Sequence, residues 1–163
     1  LAARPVLIAE SQEAVTEARM RLARIGLENA RGYLRGGVAT WREAGLPVAT
    51  LPQISVEALS ERLQGAHVQV PDVQVLDVRR EAEWEAGHIA GASWWPLDNF
   101  KVAPPEIDRN LPIAVHCKGG YRSMIACSLL LRAGFQNVVN VVGGFDAWQQ
   151  GKLPVAAEKP VGA

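Results

Sequence analysis

Two segments of this chain are similar to each other, and this internal repeat restricts the possible folds more than any other feature. Residues 5–50 align with residues 112–157 at an offset of 107, with a one-residue shift in the middle. The copies share a proline, a Gly-Gly pair, a tryptophan and a Leu-Pro-Val run. Each copy alternates short apolar runs with segments of helical spacing, so each is predicted to form a β-α-β-α unit.

The second copy follows about sixty further residues that add strands and helices of their own. They comprise a helical segment with Ser55 as its N-cap, a buried strand, a short polar helix and a short strand, at 54–64, 73–78, 79–87 and 91–97. Strands that alternate with helices through short connections predict a parallel, doubly wound α/β sheet. We expect about five strands with helices on both faces over residues 54–156, and a tail at 157–163.

The first copy offers only two candidate strands, at 6–9 and 30–34. Two strands and two helices rarely bury enough surface to be stable alone. We therefore interpret residues 1–48 as the C-terminal half of a preceding, similar unit, joined by a linker at 49–53. An N-terminal extension packed on the main domain stays open, and so do a longer polypeptide and a removed leader, because the chain does not begin with methionine.

Charge and cysteine content exclude several classes of protein. The 17 basic residues equal the 17 acidic ones, so no basic surplus points to nucleic acid or to an anionic membrane. Any anion site must therefore be built locally. Two cysteines and no secretory segment at the start favour a reducing cytoplasm, and the apolar runs are too short to span a bilayer.

The most informative local feature is a predicted strand that ends at Cys117 and turns at once into a helix. Gly119 and Gly120 permit positive φ values, so successive N–H groups of the loop can face inward. Ser123 is predicted to lie where the helix begins, and Arg122 adds positive charge. These parts predict an anion-binding loop that lowers the pKa of the Cys117 thiol. For Cys127, within the helix, packing is the expected role.

A thiolate in this place could attack a sulfur, phosphorus or arsenic centre, or serve as a ligand or sensor. Four residues separate Cys117 from Arg122, whereas the cysteine phosphatase signature has five, and the tighter ring suits a single terminal sulfur atom. His116 projects to the other side of the strand, because strand side chains alternate. No spaced set of His, Cys and Asp residues suggests a zinc site.

Three motifs, taken in order, resemble the rhodanese family of sulfurtransferases over residues 54–156. They are "LDVRREAEWEAGHIAGA" at 76–92, "CKGGYRS" at 117–123 and "GGFDAW" at 143–148. The resemblance implies that Cys117 takes a sulfane sulfur from thiosulfate or a small persulfide such as that of glutathione. The resulting persulfide then passes the sulfur to a thiol or cyanide, with no metal or organic cofactor.

The resemblance also implies roles for other residues. The loop that holds the sulfur would comprise Lys118, Gly119, Gly120, Tyr121, Arg122 and Ser123, with Arg122 also orienting an anionic donor. A bidentate ion pair of Asp77 with Arg79 would fasten adjacent loops, and His88 would shape a turn. The four tryptophans of this domain are expected to serve in packing: Trp84, Trp94, Trp95 and Trp148.

In the first copy, Glu10 occupies the cysteine position at the offset of 107, with no glycine or arginine in the loop. That copy is predicted to be catalytically silent. It resembles the silent unit of tandem sulfurtransferases, and more closely that of fusions behind a metallo-β-lactamase-like domain that acts on persulfides. Two alternatives stay open: a cysteine-dependent phosphatase or arsenate reductase, and a non-catalytic module that senses sulfide or binds a partner.

Overall fold

The computed structural model describes residues 4–65, 73–102, 104 and 106–157. Apart from residue 157, the predicted tail lies outside the described residues. The chain divides into two compact units, Leu1–Thr50 and Leu51–Ala163. Over the described ranges, no helix is long and apolar enough to cross a membrane.

The first unit contains two strands and two helices among its described residues. They are β1 (Val6–Ile8), α1 (Gln12–Ala23), β2 (Gly32–Leu34) and α2 (Gly37–Glu43). The two strands pair in parallel, with Val6 opposite Gly32. Both lie within the segments predicted to be strands.

The second unit has strands and helices in alternation. Its strands are β3 (Gln53–Ile54), β4 (Gln74–Asp77), β5 (His88–Ile89), β6 (Ser93–Trp94), β7 (Ile113–His116), β8 (Val138–Val141) and β9 (Val155–Ala156). Its helices are α3 (Val56–Gln64), α4 (Glu81–Glu85), α5 (Tyr121–Arg132) and α6 (Gly144–Gln150). A 3-10 helix at Leu97–Asn99 follows β6.

Five of these strands form one parallel sheet in the order β3-β8-β7-β4-β6. Neighbouring residues of a strand point to opposite faces, so Val115 packs with Leu130 of α5, whereas Ala114 packs with Leu59 of α3 and Trp148 of α6. Helices therefore cover both faces. The predicted doubly wound α/β sheet of about five strands is confirmed.

The connections of β4 and β7 run to opposite sides of the sheet. From β4 the chain passes to β6 at one edge, and from β7 it passes to β8 on the other side. In open parallel sheets, ligands bind at the carboxyl ends of the strands where the strand order reverses. Asp77 ends β4, and Cys117 follows the last residue of β7, so both lie at this point.

Two predicted boundaries were wrong. Helix α5 begins at Tyr121 and not at Ser123, because Gly120 adopts a left-handed conformation with φ 105° that completes the turn after Cys117. Gln53, predicted to be in a linker, belongs to β3 and pairs with Asn140 at the edge of the sheet. By contrast, α3 has its predicted N-cap, since the Ser55 hydroxyl accepts a hydrogen bond from the N–H of Ala58 at 3.2 Å.

The internal repeat is visible in corresponding contacts of the two units. The Trp41 indole donates to the carbonyl of Pro47 at 3.0 Å, and the Trp148 indole donates to the carbonyl of Pro154 at 2.8 Å. One difference lies between strand and helix, where residues 9–11 in the first unit replace residues 117–120 in the second. The first unit thus has a shorter connection where the second unit has its cysteine loop.

Candidate active site

The Cys117 side chain lies at the end of β7 and is only 1% exposed. Its sulfur accepts a hydrogen bond from the N–H of Gly120 at 3.1 Å and lies 3.5 Å from the hydroxyl oxygen of Ser123. The Ser123 hydroxyl donates to the carbonyl of Gly120 at 2.9 Å, which closes the loop. The tight turn through Gly120 therefore brings donors from the start of α5 onto the sulfur.

Opposing effects set the pKa of Cys117. Burial would raise the pKa of the thiol, because the buried thiolate loses hydration. Hydrogen bonds from the Ser123 side chain and from the backbone N–H groups of Ser123, Gly120 and Arg122 favour the thiolate, and the net pKa is lower than usual. Lowered thiol pKa values are typical of reactive cysteines at helix N-termini.

The second cysteine has the opposite character. Cys127 is fully buried in α5, among residues that pack on β7. Burial raises the pKa of its thiol to about 12. Of the two thiols, Cys117 therefore loses its proton more readily.

The Arg122 side chain forms a two-pronged ion pair with Glu83 of α4. Its Nη1 donates to Oε2 of Glu83 at 2.6 Å, and its Nη2 donates to Oε1 at 2.7 Å. Arg122 lowers the pKa of the Glu83 carboxyl to about 2, despite partial burial. The backbone N–H of Arg122 thus helps to lower the pKa of Cys117. The guanidinium of Arg122 instead binds Glu83, a partner that was not predicted from the sequence.

The Gly-Gly pair at the start of α6 lets this helix contact the backbone of the cysteine loop. The N–H of Phe145 donates to the carbonyl of Cys117 at 2.8 Å, and the N–H of Asp146 donates to the carbonyl of Lys118 at 2.9 Å. A Cβ atom at Gly144 would lie only 2.3 Å from the Cys117 oxygen and 2.6 Å from the Lys118 oxygen. The start of α6 can therefore approach the loop only because position 144 is glycine.

Asp77 and Arg79 form a buried ion pair at the end of β4. The Arg79 Nη2 lies 2.6 Å from the Asp77 carboxylate, and it also donates to the carbonyl of Gly87 at 2.7 Å. The guanidinium stacks over the ring of Phe145, 3.9 Å from its centroid. This pair links the residues after β4 to the turn before β5 and to α6, and it has no contact with the Cys117 sulfur among the hydrogen bonds of the described residues.

Neither nearby histidine is placed to take a proton from Cys117. His88 stacks on Trp84 at 3.7 Å between ring centroids, and its Nδ1 lies 3.2 Å from the Trp84 carbonyl. The fully buried His116 ring contacts the Cys117 carbonyl through Nδ1 at 3.3 Å, and its Nε2 lies 3.6 Å from Asp77. Burial lowers the pKa of His116, so its neutral form is favoured.

The tryptophans predicted to pack differ in burial. Trp84 and Trp148 are buried, whereas Trp94 and Trp95 are half-buried. The Trp94 indole donates to the carbonyl of Arg79 at 3.0 Å. Trp95 packs against the core cluster on the α5 face of the sheet.

The rim of the site is open and carries both signs of charge. The Tyr121 side chain is 81% exposed, and Lys118 and Gly119 are exposed as well. A cleft of about 170 Å³ beside the loop is lined by Glu83, Lys118 and Asp146, among others.

Within the described ranges, no group of three or more His, Cys, Asp or Glu side chains could hold a metal ion.

The sequence profile of the rhodanese-like domain family matches residues 55–151, more than half of the chain. The chain belongs to this family. The matched residues all lie in the second unit, which is thus a rhodanese-like domain with Cys117 in the loop after its central strand β7.

Relatives of this domain include proteins named as sulfurtransferases. The chain is 33% identical to a sulfurtransferase from Allochromatium vinosum over 105 residues, which cover 64% of this chain and 94% of that protein. It is 37% identical to the thiosulfate sulfurtransferase GlpE from Pseudomonas entomophila over 95 residues, 57% of this chain and 79% of that protein. It spans 62% and 60% of two relatives from Bacillus subtilis.

Solved structures show the same fold. A rhodanese-related protein from Thermoplasma volcanium matches with a TM-score of 0.58 at 30% identity, covering 66% of this chain and 99% of that one. A rhodanese-like domain from Anabaena matches with a TM-score of 0.58 at 29% identity, covering 70% and 88%. The rhodanese-like assignment therefore rests on both sequence and architecture.

Sequence reasoning missed two residues that shape the site, Glu83 and Gly144. Gly144 lies in a motif that carries the family resemblance, but nothing in the motif says that it contacts Cys117. Glu83 stands three residues after Arg80, and its carboxylate accepts the Arg80 N–H at 3.1 Å. That spacing is a weak signal for a residue at the start of a helix, and it gives no indication of a partner 39 residues away.

Proposed function

We propose that the rhodanese-like domain is a sulfurtransferase that carries sulfane sulfur on Cys117. The observation that supports this most directly is the hydrogen bonding of the Cys117 sulfur by the N–H of Gly120 and its contact with the Ser123 hydroxyl. Donors at the start of a helix stabilise a thiolate, which is the nucleophilic form of cysteine.

In the first step, the Cys117 thiolate attacks the outer sulfur of thiosulfate. The sulfur–sulfur bond of the donor breaks, its electron pair leaves with sulfite, and a Cys117 persulfide anion forms. A small persulfide donor reacts in the same way and releases its thiolate. In the second step, cyanide or an acceptor thiolate attacks the terminal sulfur and releases the Cys117 thiolate, which returns the enzyme to its starting state.

The loop residues would stabilise the added sulfur chiefly through their backbone. The loop of Lys118, Gly119, Gly120, Tyr121 and Arg122 would curl around the terminal sulfur. Its inward N–H groups would bind that anion without a metal or organic cofactor. The pair of Asp77 with Arg79 would hold the adjoining loops in place.

The decisive experiment is intact-mass analysis after incubation with a sulfane donor. Cys127→Ser should gain the mass of one sulfur atom, which cyanide or a thiol then removes, whereas Cys117→Ser should gain none. The two variants make the same chemical change at sites that differ in thiol pKa. Equal labelling of both would contradict the proposal, and so would turnover of an aryl phosphate or arsenate without persulfide formation.

We also propose that residues 1–48 are the C-terminal half of a similar but silent unit. Two apolar residues of its first strand are exposed: Val6 is 60% exposed and Ile8 is 61% exposed. Their counterparts at the offset of 107, Ile113 and Val115, are 1% and 0% exposed. A two-stranded sheet with such an uncovered strand is marginally stable alone.

Hydrogen exchange tests this half-unit in the chain as it stands. The amides of Val6–Ile8 should exchange much faster than those of Ile113–His116, because an incompletely packed sheet opens more often. Equal protection of the two strands would show that the first unit lacks no packing partner in this chain, and it would refute the proposal.

A further inference from the structure

The ion pair of Arg122 with Glu83 has a consequence for the donors that the site accepts. The two terminal nitrogens of Arg122 bind separate oxygens of one carboxylate, in the fork-to-fork geometry of strong pairs. Glu83 is held in turn by the N–H of Arg80 at 3.1 Å. With a pKa of about 2, the carboxyl stays ionised at any physiological pH.

The charges near the rim of the loop are therefore balanced. The charged residues that line the cleft beside the loop are two cations, Arg79 and Lys118, and two anions, Glu83 and Asp146. Arg79 pairs with Asp77, and Arg122 pairs with Glu83. The groups that contact the Cys117 sulfur are neutral: the N–H of Gly120 donates to it, and the hydroxyl oxygen of Ser123 lies 3.5 Å away. Such dipoles stabilise one negative charge at the sulfur. They add no net positive charge that would attract a second negative charge on the donor.

We propose that Glu83 is a positioning residue that sets the charge preference of the sulfur donor, by holding and neutralising Arg122. The site then favours donors with a single negative charge over doubly charged ones such as thiosulfate. This inference rests on the proposed sulfurtransferase function and concerns the same site. It assigns to Glu83 an effect on donor choice that acts through Arg122.

A merely structural role for Glu83 predicts a different result. The carboxylate also contacts the start of α4, so its loss could weaken the fold without touching donor choice. A structural defect would change the rates with all donors by the same factor. A change in electrostatics acts in proportion to the charge of the donor, so the ratio of two donors separates the two roles.

The test uses Glu83→Gln, which keeps the shape of the side chain and removes its charge. The measured quantity is kcat/KM for persulfide formation with thiosulfate, a dianion, and with benzenethiosulfonate, a monoanion. One exposed charge typically changes an interaction about twofold. We expect kcat/KM to rise about fourfold with thiosulfate and about twofold with benzenethiosulfonate, so that their ratio shifts about twofold.

Glu85→Gln is the matched control. It removes the same charge from the same helix, at an exposed position with no ion pair among the described residues. The control should leave the donor ratio unchanged. A ratio that stays constant in Glu83→Gln, or that shifts equally in both variants, would overturn the inference.

A measurement on the wild-type protein keeps the inference testable if Glu83→Gln does not fold. Because the cations are compensated, kcat/KM for thiosulfate should fall less than about twofold when ionic strength rises from about 0.02 to 0.2 M. A steep fall would reveal an uncompensated cation and overturn the inference. If the wild-type protein forms no persulfide with either donor, the sulfurtransferase proposal itself fails, and the inference with it.

Discussion

Replacing Gly144 by alanine should displace the cysteine loop, because the new side chain would collide with the backbone of that loop. The new Cβ would meet the carbonyl oxygens of Cys117 and Lys118 at 2.3 and 2.6 Å, and backbone atoms cannot rotate aside as a flexible side chain can. Position 144 also has φ 55°, a left-handed conformation that alanine adopts at a cost of about 1 kcal/mol. The helix start and the loop must then separate.

The magnitude follows from the contacts at this point. Separation weakens two hydrogen bonds, from the N–H of Phe145 to Cys117 and from the N–H of Asp146 to Lys118. Each contributes about 1 kcal/mol. Together with the backbone cost, the free energy of unfolding should fall by about 3 kcal/mol, which lowers Tm by about 12 °C for a domain of this size.

Gly91→Ala is the control for the backbone cost alone. Gly91 has φ 76°, but a Cβ there would have no heavy atom within 4 Å. Urea unfolding should therefore show a loss of about 1 kcal/mol for this variant, about 2 kcal/mol less than for Gly144→Ala. The rate of alkylation of Cys117 should change in Gly144→Ala and stay the same in Gly91→Ala. Equal losses in the two variants would refute the argument that α6 supports the loop through close backbone contact.

Three further predictions concern the charged and reactive groups. As pH increases, the rate of alkylation of Cys117 should rise with a midpoint below the ordinary thiol pKa of about 8.5. Ser123→Ala should move that midpoint upward, because the Ser123 side chain lowers the pKa of Cys117. Ser128→Ala in the same helix should leave the midpoint unchanged. Asp77→Asn should lower the free energy of unfolding in urea by about 3 kcal/mol, because it leaves a buried guanidinium without its carboxylate; an unchanged midpoint would contradict the buried pair. The lowered pKa of Glu83 stabilises the fold above its unfolded value of 4.5, and this contribution is lost as pH falls toward about 2. Wild-type stability should therefore fall more steeply than that of Glu83→Gln between pH 4.5 and 2, and parallel curves would exclude the pair as the cause.

Much of the fold could be predicted because its signals are local. The apolar runs of β4 and β7 and the Ser55 N-cap of α3 depend on neighbouring residues, so the sequence indicated them with nearly correct boundaries. The start of α5 was placed two residues late, because whether Gly120 belongs to the loop or caps the helix depends on its backbone angle. The position of Cys117 after β7 could be predicted because an apolar run ends there and the glycines that follow permit a tight turn.

The repeat marks the limit of local prediction. Trp41 and Trp148 share a sequence context and the same hydrogen bond to a proline carbonyl. Nevertheless, Trp41 is 39% exposed and Trp148 is 2% exposed. Burial depends on what covers a residue, and the covering elements are distant in the chain, so two similar local sequences reach different degrees of burial.

By itself the sequence determined the alternation of strands and helices, the place of Cys117 at the end of β7 and the turn through Gly120. These follow from side-chain periodicity and from the conformational freedom of glycine, which act within a few residues. Only the tertiary structure decided that Glu83 holds Arg122 and that Gly144 lies against the Cys117 carbonyl. Those contacts join residues that are far apart in the sequence. They form only once strand order and packing bring their elements together.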